Sequence, residues 1–135
     1  MNTQGYRLWP FILFMIFAVV ILSCTKEKIV TPEHTIFGSW TRAITDTEGV
    51  QFNAELKINT DNSFEFILLE EVPGHTNSSG EFTLSDDIFT IINDTDCDSD
   101  GVYEFVVTDE KLALVVVMDD CAPRVVAIQG VWGIK

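Results

Sequence analysis

Positive charge is scarce in this chain, and so is every residue pattern that marks a reactive centre. Lysine and arginine together number 8 against 21 aspartates and glutamates, for a formal charge of −13 over 135 residues. So acidic a surface repels nucleic-acid phosphates and anionic headgroups, which excludes nucleic acid as an expected partner. Only two histidines occur, His34 and His75, and neither stands near a cysteine in sequence. There is no C-x-x-C pair and no G-x-S-x-G elbow, which leaves a thiol metal site and a hydrolase without support. The carboxylate pairs Glu70-Glu71, Asp86-Asp87 and Asp119-Asp120 fall at the ends of expected strands, where they solvate turns and edges. The chain therefore reads as non-enzymatic, and its length allows one ordinary domain.

One long apolar run is present. It extends from Leu8 to Leu22 behind a lone Arg7 and ends at Ser23-Cys24. Crossing a bilayer takes about 20 apolar residues, so this shorter run reads as a signal segment. Ile21-Leu22-Ser23-Cys24 resembles a bacterial lipobox, an aliphatic residue and a small residue ahead of cysteine. The resemblance implies that the Cys24 thiol carries diacylglycerol and that its freed amine is acylated, an anchor of several chains of the kind that holds stably to a membrane. Thr25 stands where an aspartate would resemble an inner-membrane retention signal, which points to the outer membrane of a bacterial cell envelope. The expected organisation is a signal peptide over 1–23, a lipidated cysteine with a flexible tether over 24–35, and a domain over 36–135.

With Cys24 assigned to lipid, Cys97 and Cys121 remain, in a compartment where a disulfide persists. The rest of the domain alternates short apolar-patterned segments with turn residues and shows no helical period. Eight strands are expected, at about 36–45, 50–58, 63–71, 80–85, 88–93, a sixth around Tyr103 to Val107, a seventh around Leu112 to Met118, and 124–134. Short connections between them imply an antiparallel up-and-down meander. Closure of such a meander into a small eight-stranded barrel removes its free edges, with a β-sandwich as the alternative. In a meander alternate loops share a rim, which brings Cys97 and Cys121 to one end and puts Trp40 and Trp132 near the other.

Gly38-Ser39-Trp40 opening the meander, and Asp120-Cys121-Ala122-Pro123-Arg124 ahead of a last strand with Gly130-Val131-Trp132, resemble the lipocalin-like domains of bacterial lipoproteins. The resemblance covers about residues 36–135 and implies a small hydrophobic ligand bound at the open rim. In lipocalins an arginine after the last strand covers the first-strand tryptophan at the closed end. Arg124 precedes the expected last strand, so that role is not carried over to it. The cavity expected on this reading is lined by Trp40, Phe52, Phe64, Phe66, Phe82, Tyr103, Phe105, Leu114 and Trp132, side chains that can equally fill a small barrel. Asp96, Asp98 and Asp100 with Gly101 match the opening of a D-x-D-x-D-G calcium loop, although the twelfth position is Val107 instead of a bidentate glutamate. No other cofactor is expected. Val106, Val115 and Val117 form an apolar excess on an outward face, which leaves an envelope-protein partner, or inhibition of a basic enzyme through the acidic loops, as the second functional reading.

Overall fold

The computed structural model describes residues 35–135. The apolar run, Cys24 and nearly all of the tether lie outside the described residues. Eight strands follow one another: β1 (Gly38–Thr45), β2 (Gln51–Ile58), β3 (Ser63–Leu68), β4 (Ser78–Ser85), β5 (Ile88–Ile92), β6 (Gly101–Val107), β7 (Lys111–Asp119) and β8 (Gly130–Ile134). Every strand pairs antiparallel with its neighbour in sequence, and β1 closes on β8 through Trp40↔Ile134 and Thr41↔Gly133. The architecture is a closed meander barrel, and that closure excludes the sandwich.

Period-two alternation accounts for the strands. In β2, Phe52, Ala54, Leu56 and Ile58 are all buried, facing into the barrel. The turns use Asx residues in the left-handed region, with Asn62 at φ 66° and Asp86 at φ 54°. Asparagine and aspartate tolerate this conformation because their side chains bond locally. Burial on the inner face is complete at Leu56, Phe89, Ile91, Tyr103, Leu112 and Trp132.

The last element departs from the expected strand over 124–134. Ala122–Ile128 forms a helix, α1, and β8 shortens to Gly130–Ile134. Pro123 lies in the first turn, where its missing N–H is not needed and its fixed φ suits a helix start. Arg124 and Ile128, four residues apart, are the two buried positions on one face of the helix. The β-branched pair Val125-Val126 concealed this, because tertiary docking outweighs the weak propensity of so short a segment. As a result β8 pairs only with Lys111–Leu114 of β7, and α1 packs on both β7 and β1. Strand β7 departs as well. A bulge between Val102 and Tyr103 sets Tyr103 opposite Val116 and Val102 opposite Met118. Strict alternation from Leu112 and Leu114 would put Met118 on the inner face, but beyond the bulge it is 60% exposed. Leu84, two residues beyond the buried Phe82 in the alternation of β4, lies exposed near the strand's end.

Both Gly-x-Trp segments are built alike. Gly38 and Gly130 each have φ 142°, and each following tryptophan donates its indole N–H to the carbonyl four residues earlier. Trp40 Nε1 reaches Ile36 O at 2.9 Å, and Trp132 Nε1 reaches Ile128 O at 3.0 Å. The glycine bend folds the preceding residues back over the ring, so a buried indole is satisfied locally.

Candidate functional site

The loops between β1 and β2, β3 and β4, and β5 and β6 gather with α1 at the rim opposite the start of the described chain. The Cys97–Cys121 disulfide ties the β5–β6 loop to the helix N-terminus, with the Cα atoms 6.1 Å apart. Beside it lies a buried polar network. Arg124 Nε donates to Asp119 Oδ2 at 2.7 Å, and Arg124 Nη2 donates to Asp119 Oδ1 at 2.8 Å and to Ser99 O at 2.7 Å. Arg124 Nη1 donates to Asp94 Oδ2 at 3.3 Å. Tyr103 contributes its hydroxyl to Asp119, and the Cys121 amide adds a third kind of donor at 2.8 Å. Side-chain exposure is 3% for Arg124 and 0% for Asp119.

This geometry sets the protonation states. Burial opposes charge on Asp119, yet the bonds from Arg124, Tyr103 and the Cys121 amide outweigh it and hold the carboxyl below the usual carboxylate range. Burial, then the neighbouring Asp119 carboxylate, pushes the Tyr103 phenol up. Burial by itself would lower Arg124, and Asp119 and Asp94 reverse that. The three groups therefore form a neutral-phenol, ion-paired lock with no titration near neutral pH. Gly101 makes room for it. A Cβ there would stand 2.5 Å from Asp119 Oδ2 and 2.9 Å from Arg124 Nε.

A second arginine supports the other end of the helix. Arg42, inward on β1, donates from Nη2 to Val126 O at 2.7 Å and to Ala127 O at 3.2 Å, and from Nη1 to Gln129 O. These are carbonyls that a helix leaves without intrahelical donors. The same guanidinium lies 4.8 Å over the Trp132 ring. An arginine does cover a tryptophan in this barrel, but it is a first-strand arginine over the last-strand ring.

Between the rim loops and the helix opens a cavity of about 510 Å³. Phe52, Phe64 and Phe66 form one apolar side, and Val126, Ala127 and Ile128 of α1 form the other. Pro73, Gly74, His75 and Thr76 of the β3–β4 loop border it. His75 packs at a tilt against Phe52 with centroids 4.8 Å apart, and its Nε2 meets Asp46 Oδ2 at 2.9 Å. Asp46 Oδ1 accepts the Glu48 and Val50 amides, both at 2.8 Å. The Val50 amide above all, against an opposing desolvation and with help from His75 and Glu48, holds the Asp46 carboxyl below its ordinary value.

Of the nine side chains expected to line a cavity, Phe52, Phe64 and Phe66 line this one, and Trp40 borders a smaller pocket at the opposite rim. Trp40, Phe82, Tyr103, Leu114 and Trp132 are buried in the core, and Phe105 packs against it partly buried. Trp132 meets Phe66 edge-on at 6.5 Å, so the core supports the cavity wall from beneath. Asp96, Asp98 and Asp100 are exposed, and among the described residues no group of three or more histidine, cysteine or carboxylate side chains is arranged to hold a metal ion. Gly101, which completes the calcium-like signature, is accounted for by the Asp119–Arg124 pair above it. Asp46, Arg42 and the helix residues Val126 to Ile128 escaped the sequence reading. The signal was Pro123 followed by residues four apart; nothing in sequence marked Arg42 as inward. Cys24 lies outside the described residues.

Comparison with known proteins returns no matching family model, no matching curated protein and no matching solved structure.

Proposed function

We propose that this chain is a non-enzymatic, lipid-anchored carrier of the bacterial cell envelope, of lipocalin-like type, which holds a small and largely apolar ligand in the cavity at its open rim. The observation that carries this reading is the cavity of about 510 Å³ between the Phe52, Phe64 and Phe66 face and helix α1. Its volume falls in the range of small-molecule sites, with apolar walls from the phenylalanines and α1 and a polar, mostly acidic margin. The disulfide and the Arg124 network fix two of its borders before any ligand arrives, which limits the ordering cost of binding. The anchor at Cys24 rests on the lipobox resemblance. Its test is metabolic labelling with palmitate, with incorporation expected in the native chain and lost in Cys24→Ala. For the carrier, native mass spectrometry of the protein extracted from membranes is expected to show a co-purifying small molecule. Absence of any adduct, together with no binding of the apolar fluorophore N-phenyl-1-naphthylamine, would sink the proposal.

A second reading has its own observation. Val106, Val115, Val117 and Val131 are each more than half exposed on the outer wall of β6, β7 and β8. Barrel closure leaves that wall without a covering sheet, as fits a protein-interaction module of the envelope. Cross-linking in intact cells from a photoreactive residue at Val115 tests it, and a chain that captures no protein there counts against it.

A further inference from the structure

The cavity has an apolar interior and an acidic mouth, and the charges at that mouth are unequally compensated. Four carboxylates border it, from Asp46, Glu48, Asp94 and Asp96, against the single guanidinium of Arg124. That guanidinium is consumed by Asp94, Asp119 and the Ser99 carbonyl. No lysine borders the cavity. Asp94 shares the Arg124 guanidinium with Asp119 and also accepts the Asp96 amide at 3.0 Å. Asp46 is occupied by two amides and His75. Glu48 and Asp96 are different, since their carboxylates make no hydrogen bond or ion pair to the described residues and are exposed, one on the β1–β2 loop and one on the β5–β6 loop.

Resting on the carrier reading, we infer that the cavity selects amphiphilic amines. The apolar body of such a ligand lies against Phe52, Phe64 and Phe66, and its protonated amine lies at the mouth, in the field of the Glu48 and Asp96 carboxylates on their separate loops. An ammonium needs no converging ligand set, in contrast to a metal ion, and a single carboxylate at the edge of an apolar site pairs with it. A fatty-acid carboxylate at the same place would meet uncompensated negative charge, so the mouth discriminates by repulsion as well as by attraction.

The test uses three probes of one shape and different heads: 1-naphthylmethylamine, 1-naphthalenemethanol and 1-naphthoate. Each is titrated by calorimetry into the full chain held in lipid nanodiscs, with empty nanodiscs subtracted. The amine is expected to bind about ten-fold more tightly than the acid, as one or two exposed ion pairs and the loss of repulsion provide. Its affinity is expected to fall with added salt, whereas that of the alcohol stays constant. In Glu48→Gln/Asp96→Asn, which removes no internal contact, the preference for the amine disappears and the alcohol binds as before. Acid or alcohol binding as tightly as the amine overturns this inference and leaves the carrier reading standing. Failure of all three probes to bind overturns both.

Discussion

Asp119 and Arg124 form the most consequential side-chain pair in the molecule, because both are buried and each is the other's principal partner. Removing one partner leaves a buried charge, at a cost of about 3–5 kcal/mol. Asp119→Asn is therefore expected to lower the unfolding free energy by about that amount at pH 7. The sign of its pH dependence follows from the carboxyl lying below its ordinary value in the fold. Its contribution is complete above about pH 4, the value of a free aspartate, and is lost as pH falls through the depressed folded value. The gap between native and variant in urea unfolding should thus narrow from pH 7 towards pH 2, and a constant gap would show that Asp119 is not the titrating partner. Gly130 offers a second test. It sits at φ 142°, and a Cβ there collides with the Arg42 guanidinium. Gly130→Ala should cost about 2 kcal/mol or more by denaturant midpoint, through strain and displacement of Arg42 from the helix carbonyls.

Helix α1 is the element on which the rim depends. It is 7 residues long, has no side-chain cap bond at its Cys121 N-cap, and carries no charge complementing its ends. So short a helix is not stable by itself. Three tertiary attachments hold it: the disulfide at one end, Arg42 at the other, and the buried faces of Arg124 and Ile128 between them. Closing a loop of 24 residues stabilises by about 3–4 kcal/mol in the chain-entropy model. Replacing both Cys97 and Cys121 by alanine should therefore lower the melting temperature by at least about 10 °C, with hydrogen exchange rising first in 122–128. Equal exchange in native and variant at those amides would mean that the disulfide does not hold the helix. Much of this element was hidden in the sequence. Pro123 and the four-residue step from Arg124 to Ile128 were visible, but the β-branched run around them has the pattern of a strand. Only the docking surface decides between two such weak preferences.

For the molecule as a whole, the acidic loops invite a test for calcium. Asp96, Asp98 and Asp100 lie exposed and do not converge on a common centre with other carboxylates. The melting temperature is accordingly expected to stay unchanged between millimolar calcium and chelator, and a rise of several degrees with calcium would restore the loop as a site. The barrel itself was largely legible. The alternation in β2, the Asx turns at Asn62 and Asp86, and the placement of Cys97 and Cys121 on one rim all follow from short-range rules and meander parity. Parity gathered the longer loops at that rim, but that a cavity opens among them was not legible, because the same inward aromatics can fill a small barrel. Which aromatics would line it was not legible, since Phe66 and Trp132 share the same inward periodicity and only depth in the barrel separates them.

By itself the sequence determined what depends on local pattern: eight strands in meander order, the turns between them, the cysteine pairing and the acidity of the rim. These follow from period-two burial and from backbone preferences that act within a few residues. The tertiary structure alone decided that α1 is a helix, that Arg42 turns inward to hold it, and that Gly101 serves a buried ion pair. It also decided that Phe52, Phe64 and Phe66 face the open-rim cavity while Trp40 and Trp132 are buried in the core. Each of these rests on contacts between residues far apart in the chain, whose energies no local pattern encodes.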